Sequence, residues 1–334
     1  MSLDLEAIEE LPPELTGALT FHLPLEVAAL QLAGAAEAVI AERVRRRLTE
    51  AYAAGLVDPP LYRWAVEHSR SAAEGLLHDD PARRRAAFDS VANLGDGLAG
   101  AAFHGLIRLG YGLWRRRPME VARGLAYLRT RRQVLVGATA VAPAPSGDAR
   151  PAPLPPADAL EGLTVFDLMN IAAGCEDREA LRPWGDQPLT AHRLAAAALA
   201  LAARNPSSFV AVHAVTGLHG LCELHAAVDG AAALADATAP VEATPLGPWW
   251  VSYATALGTA SAVMASYPPE AVPAATPGLD GPAELLAAAV DSGETHDVKL
   301  VLALQRLAAY GVLDADDAHR VARTKLAATE CRAH

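Results

Sequence analysis

Apolar residues recur three and four positions apart through almost every long segment of this chain, and those segments are rich in Ala, Leu, Glu and Arg. That spacing lays an apolar stripe along a 3.6-residue helix, where a half-buried strand would alternate every second residue. It predicts helices over residues 25–50, 60–77, 81–94, 101–114, 118–131, 190–203, 209–228, 249–266, 282–292, 296–309 and 315–328. Pro118 and Pro282 stand where a first-turn proline is expected, and Asp80 precedes Pro81 as an N-cap. Strand signals are thin. Residues 133–141 alternate β-branched side chains, residues 210–215 are strand-like by composition alone, and neither run has a partner. The expectation is an all-α fold, one large multi-helix domain over residues 1–334. The Pro/Ala-rich stretch 141–157 cannot be helical throughout and reads as a linker or surface excursion; 267–282 reads as a loop between helices.

A hydrophobic fraction of 52% supports a substantial core. The net charge of −11 argues against a nucleic-acid backbone or an anionic membrane as the main partner. The basic clusters at 43–47, 83–85 and 115–117 lie on amphipathic stretches and read as solvated helix faces. Cys175, Cys222 and Cys331 are too few and too scattered for a disulfide frame or a thiolate metal cluster. The first fourteen residues lack the basic-then-apolar order of a signal peptide, and the longest apolar run, 194–203, is too short to span a bilayer. A soluble, cytoplasmic protein is expected.

Basic residues are strongly biased: twenty-six are arginine and only two are lysine. One of the two, Lys299, lies in Glu294-Thr295-His296-Asp297-Val298-Lys299, three residues after a histidine and therefore on the same helix face. In so arginine-biased a chain, a lysine suggests chemistry closed to a guanidinium, such as losing its proton or being covalently modified.

Three further histidines occupy apolar settings. His22 stands just ahead of Pro24 and a long helix. His104 lies in Gly100-Ala-Ala-Phe-His-Gly-Leu-Ile-Arg-Leu-Gly-Tyr111, with Arg108 and Tyr111 on its face at i+4 and i+7. His213 and His219 share His-Ala-Val-Thr-Gly-Leu-His, a spacing of six that turns about 240° around a helix, so both cannot face one ion. One of them reads as a ligand, the other as a group supporting a ligand or touching substrate. The zinc-peptidase spacing H-E-x-x-H is absent. Residues 95–100 form a formal G-x-G-x-x-G, but it follows a helical segment in a chain without a parallel sheet. It reads as a helix break leading into a tightly packed helix, not as a dinucleotide loop.

Taken in order, His-x-Pro at a helix start, Gly-Ala-Ala-Phe-His-Gly-Leu-Ile-Arg-Leu-Gly-Tyr, His-Ala-Val-Thr-Gly-x-His and His-x-x-Lys resemble the questin oxidase family over residues 17–325. That family includes enzymes that open anthraquinone rings in aromatic polyketide pathways. The resemblance implies an all-helical fold and, as in one branch, a non-haem iron held by four histidines and a lysine carboxylated on its side chain. By position these would be His22, His104, His213, His296 and Lys299, with His219 the substitute if one is misplaced. Arg108 and Tyr111 would orient quinone or phenol oxygens, and His219 would contact ligand or substrate. The implied activity is iron(II)- and O2-dependent cleavage of a ring carbon–carbon bond in an anthraquinone-like substrate, by a monomer or homodimer. Two alternatives stand beside it: an NADPH-dependent oxygenase of Baeyer–Villiger type, and a non-catalytic helical protein that binds a polyketide. The chain departs from the pattern at Arg108, where some relatives carry histidine, and in the polar segment Cys222-Glu223-Leu224-His225.

Overall fold

The computed structural model describes residues 7–8, 10–16, 19–132, 188–265, 270 and 279–333. The fold is all-α. Before residue 132 the helices are α1 (Leu23–Leu32), α2 (Glu37–Ala54), α3 (Tyr62–Leu76), α4 (Pro81–Asp89), α5 (His104–Trp114) and α6 (Pro118–Thr130). After residue 188 come α7 (Ala191–Arg204), α8 (Phe209–Asp229), α9 (Gly247–Ala265), α10 (Pro282–Asp291), α11 (Thr295–Ala309) and α12 (Ala315–Ala333). Both groups share one hydrophobic core that runs from Ile8 to Leu326. No helix among the described residues is long and apolar enough to cross a membrane. The 133–141 alternation beyond Arg132, the Pro/Ala-rich 141–157 stretch, Cys175 and most of 267–282 lie outside the described residues.

Helix α8 is the axis of the structure. Ser208 caps its start by accepting a hydrogen bond from the Ala211 amide, and Gly230, at φ +91°, ends it. Between these caps nearly every side chain is buried, as expected of a helix that is apolar around its whole circumference. It packs on α5, α7, α9 and α11. The strand-like run 210–215 is its first turns, so long-range packing overrides β-branched composition there.

The approach of α5 to α8 is set by glycine. A Cβ on Gly220 would lie 2.5 Å from the Leu106 carbonyl oxygen, and one on Gly110 would lie 2.5 Å from the Gly220 Cα. Two backbones can come that close only where neither carries a side chain. The G-x-G-x-x-G run has a similar use: Gly95 makes room for the Trp249 ring and Gly97 for Arg132, within a 3₁₀ segment, Ala92–Gly97, that follows α4.

Two differences from the sequence expectation stand out. The helix expected over 25–50 is broken, because Gly34 takes φ +70° and the Ala35 and Gly34 amides donate back to the Leu30 and Gln31 carbonyls, closing α1 with a Schellman motif. The chain also makes a small antiparallel sheet, β1 (Glu14–Leu15) flanked by β2 (Leu19–Thr20) and β3 (Leu56–Val57), from strands too short for periodicity to reveal. Buried Glu14, on β1, accepts from the Tyr127 hydroxyl and pairs with Arg131, tying the segment that leads to His22 onto α6.

Candidate metal centre

Four histidines from four elements converge. His22 ends the lead-in to α1, His104 opens α5, His213 lies one turn into α8 and His296 lies at the start of α11. The His22 and His104 rings stack at 4.7 Å between centroids, His104 and His213 are 4.5 Å apart, and His296 lies 5.0 Å from His22 and 5.2 Å from His213. One nitrogen from each of His22, His213 and His296 falls within 4.8 Å of the others. His104 adds a fourth, its Nε2 being 2.6 Å from that of His22 and 3.0 Å from that of His213.

Hydrogen bonds at Nδ1 fix the tautomers of three of these rings. A carbonyl oxygen only accepts, so His104 donates through Nδ1 to Ala101 and His213 through Nδ1 to Phe209, at 2.7 Å for the latter. His296 donates through Nδ1 to the Glu294 carboxylate at 3.0 Å. Burial, the largest cause at every one of the four, pushes the imidazoles toward the neutral form: His104 down to about 3, His296 to about 4, and His22 and His213 well below the usual range. Neutral rings whose Nδ1 protons are spent turn Nε2 lone pairs inward, so His104 and His213 face each other acceptor to acceptor. A proton on His22 can satisfy only one of them. The Nε2 of His296 is buried without a hydrogen-bond partner. Converging imidazole lone pairs, with the rings of His104, His213 and His296 each fixed by a hydrogen bond at the other nitrogen, are the donor set of a transition-metal site. Two nitrogens bound about 2.0–2.1 Å from one ion at a right angle lie about 3 Å apart, matching the His104–His213 spacing.

Lys299 lies beside this cluster, and its charged form would disfavour protonation of all four imidazoles. Its Nζ is fully buried with no hydrogen-bond partner, and burial lowers its pKa to about 8. The other lysine gives the contrast: Lys325 is also buried, but its Nζ lies 3.4 Å from the Asp297 carboxylate. Buried ammonium groups are normally paired in this way. A buried amine without a partner beside inward-facing lone pairs is a polar group that ordinary packing does not explain.

The local backbone is built for the centre. Ala101, Ala102 and Phe103 take φ of +48°, +52° and +66°, three consecutive left-handed residues that cost roughly 1–2 kcal/mol each. This turn directs the Ala101 carbonyl at the His104 ring. Strain of this kind persists where the surrounding packing over-determines it, here with Phe103 against Tyr253 and Gly217. Beneath His22 and His296 sits Glu26, wholly buried. It accepts from Arg43 at 2.7 Å, from Arg47 at 3.2 Å and from the Thr295 hydroxyl at 2.7 Å, joining α1, α2 and α11. Glu294 serves twice, capping α11 and holding His296, and its own carboxyl is drawn down to about 2, chiefly by the His296 hydrogen bond.

The remaining singled-out residues lie elsewhere. His219 does not join the imidazoles: it packs 5.6 Å from Tyr111 and 5.3 Å from Trp114, with Nε2 3.3 Å from Glu223. Arg108, expected to orient substrate oxygens, is turned away to a bidentate pair with Glu120 at 2.9 and 3.0 Å and a contact to the Tyr62 hydroxyl, all buried. The reason is that a guanidinium one helical turn along α5 meets the Glu120 carboxylate of α6, and burying it unpaired would be far costlier. Tyr111 is buried with its hydroxyl unpaired, beside His219.

Sequence reasoning missed Glu26, Glu294 as a ring-orienting group, the strained turn, and Phe209. Phe209 begins α8 one turn before His213, packs 3.9 Å from that ring and 5.7 Å from His296, and is 36% exposed. Its i, i+4 relation to His213 was the available signal; the others depend on contacts between distant segments. No protein-family model matches this sequence, and no curated protein matches it.

Proposed function

We propose that the chain is a non-haem iron(II)- and O2-dependent oxygenase that cleaves a ring carbon–carbon bond of a polycyclic aromatic, anthraquinone-like polyketide intermediate. The observation that carries this reading is the set of Nε2 lone pairs turned inward beside the unpartnered amine of Lys299. His22, His104, His213 and His296 would hold the ion, together with Lys299 carboxylated at Nζ. Imidazole with oxygen ligands suits iron among the first-row metals, and the carbamate would take the place of the carboxylate in common two-histidine iron sites. Bound iron would supply the electronic match between dioxygen and a closed-shell aromatic that neither has alone.

The chain's own residues have separate tasks. The carbonyls of Ala101 and Phe209 and the carboxylate of Glu294 hold three rings in the tautomer that presents Nε2. Burial lowers Lys299 to about 8, which enlarges the share of neutral amine near neutral pH, the only form that adds to carbon dioxide. Phe209, half-exposed above His213 and His296, offers a flat apolar face to an incoming aromatic ring and keeps water off the imidazoles behind it.

The test is metal content per chain after anaerobic purification with iron(II) and bicarbonate, in wild type and in Lys299→Arg. About one iron per chain in the wild type, lost in the variant, is expected, since a guanidinium cannot be carboxylated and carries a fixed charge. Oxygen uptake with an anthraquinone and no NADPH then separates this mechanism from a nicotinamide-linked one. Absence of stoichiometric metal, or a Lys299→Arg chain with full iron and full activity, overturns the assignment.

A further inference from the structure

A cleft of about 490 Å³ opens away from the histidine cluster, where the ends of α3 and α5 meet α8 and α11, and neither the four clustered histidines nor Lys299 lines it. Its volume is within the range of small-molecule sites. Leu76, Leu113, Ala227 and the Trp114 ring supply apolar wall. Its charged lining is three arginines, Arg84, Arg116 and Arg306, against one carboxylate, Glu223, in a protein whose net charge is −11.

Arg306 is the built element. Its guanidinium lies 5.0 Å from the Trp114 ring centroid and 4.6 Å from that of Tyr310. Nε donates to buried Glu223 at 2.6 Å, and Nη2 donates to the Tyr310 hydroxyl at 2.9 Å. These contacts fix the plane of the group and leave Nη1 without a hydrogen-bond partner, in a side chain that is 30% exposed and lines the cleft. Arg84 spends Nη1 on the His78 and Asp79 carbonyls, yet its Nε is buried without a partner. Arg116 donates through Nη2 to the Leu77 carbonyl and pairs with the Asp79 carboxylate at 3.2 Å, so Arg306 and not Arg116 offers the unused donor. Folding thus brings Arg84 and Arg116, from two clusters that read in the sequence as solvated faces, into one cleft with Arg306.

The geometry points to a second ligand site in this cleft, for a planar aromatic carboxylate: the ring lies against Trp114 and the aliphatic wall, and the carboxylate accepts from Arg306 Nη1. A pre-oriented guanidinium with unused donors is the standard partner of a carboxylate, and an aromatic wall favours a flat body. The site stands independently of the iron centre.

Isothermal titration calorimetry with 2-naphthoate and its neutral counterpart 2-naphthylmethanol tests it on the full chain. Saturable binding of the acid is expected, with the alcohol weaker by about tenfold or more and Arg306→Gln weakening the acid by about tenfold, as loss of a charge-assisted hydrogen bond requires. Trp114→Leu should weaken both compounds. Should Arg306→Gln misfold because Glu223 is left unpaired, Arg84→Gln at the rim should weaken the acid severalfold and leave the alcohol unchanged. Metal content of the folded variants should equal that of wild type, which separates failure here from failure of the iron assignment. Absence of saturable naphthoate binding, equal affinity for acid and alcohol, or wild-type affinity in the folded arginine variants overturns the site.

Discussion

Replacing Glu26 by Gln removes the one carboxylate beneath the histidine cluster that joins three helices. Glu26 and Arg43 are 0% and 9% exposed at the side chain, so the pair is shielded from water, whereas Arg47, at 29%, is partly hydrated and contributes less. Removing one partner of a buried pair costs about 3–5 kcal/mol, because the charge left behind stays desolvated. Arg43 keeps the Gly293 and Val290 carbonyls as acceptors, which places the expected loss near the lower limit, about 3 kcal/mol. A chain of 334 residues gains roughly 0.7 kcal/mol/K of entropy on melting, so the loss lowers the midpoint by about 4 °C. Thermal melting of metal-free wild type and Glu26→Gln, followed by helical circular dichroism, measures it. Glu26→Leu combined with Arg43→Met should recover much of the loss, since the penalty belongs to the stranded charge and not to the missing attraction. A shift under about 1 °C for Glu26→Gln, or a double variant as unstable as the single one, would refute this account of the hub.

Gly220→Ala places a Cβ 2.5 Å from the Leu106 carbonyl oxygen, so α5 and α8 must separate. We expect a net cost of about 1–2 kcal/mol after the helix-propensity gain of alanine, together with weaker metal binding as His104 moves off His213; a variant matching wild type in melting and metal content would contradict it. The metal-free protein should lose stability as pH falls. The imidazole of His104 titrates near 3 when folded and near 6.5 when unfolded, so below about 6.5 the unfolded chain binds the proton that the folded one refuses. Stability is therefore full above 6.5 and declines toward pH 4, by about 2 kcal/mol at pH 5 from His104 alone. Melting temperatures of wild type and His104→Ala between pH 7 and pH 5 check this, and equal slopes for the two would exclude His104 as the cause.

The sequence by itself determined the helices and the chemistry that had to come together. Spacing of three and four identified the helix-forming stretches because an apolar stripe is a local property, and the cap Asp80 acts within one turn of its helix. His22, His104 and His213 stood out for the same reason, as imidazoles in apolar settings, and His296 through its place one helical turn before Lys299, a lysine among arginines. The 240° offset between His213 and His219 showed that both could not face one ion, but only packing decided that His213 joins the other imidazoles. Tertiary structure alone decided the rest. Arg108 shares a helix face with His104, yet its guanidinium goes to Glu120, because the position of a carboxylate on another helix outweighs a helical wheel. Glu26 is an ordinary acidic residue in α1 until Arg43, Arg47 and Thr295 close around it. Arg84, Arg116 and Arg306 lie far apart along the chain and meet only when α3, α4, α5, α8 and α11 pack. Periodicity reports which face of a helix is buried, whereas burial against a particular partner depends on contacts between distant segments that one sequence does not encode locally.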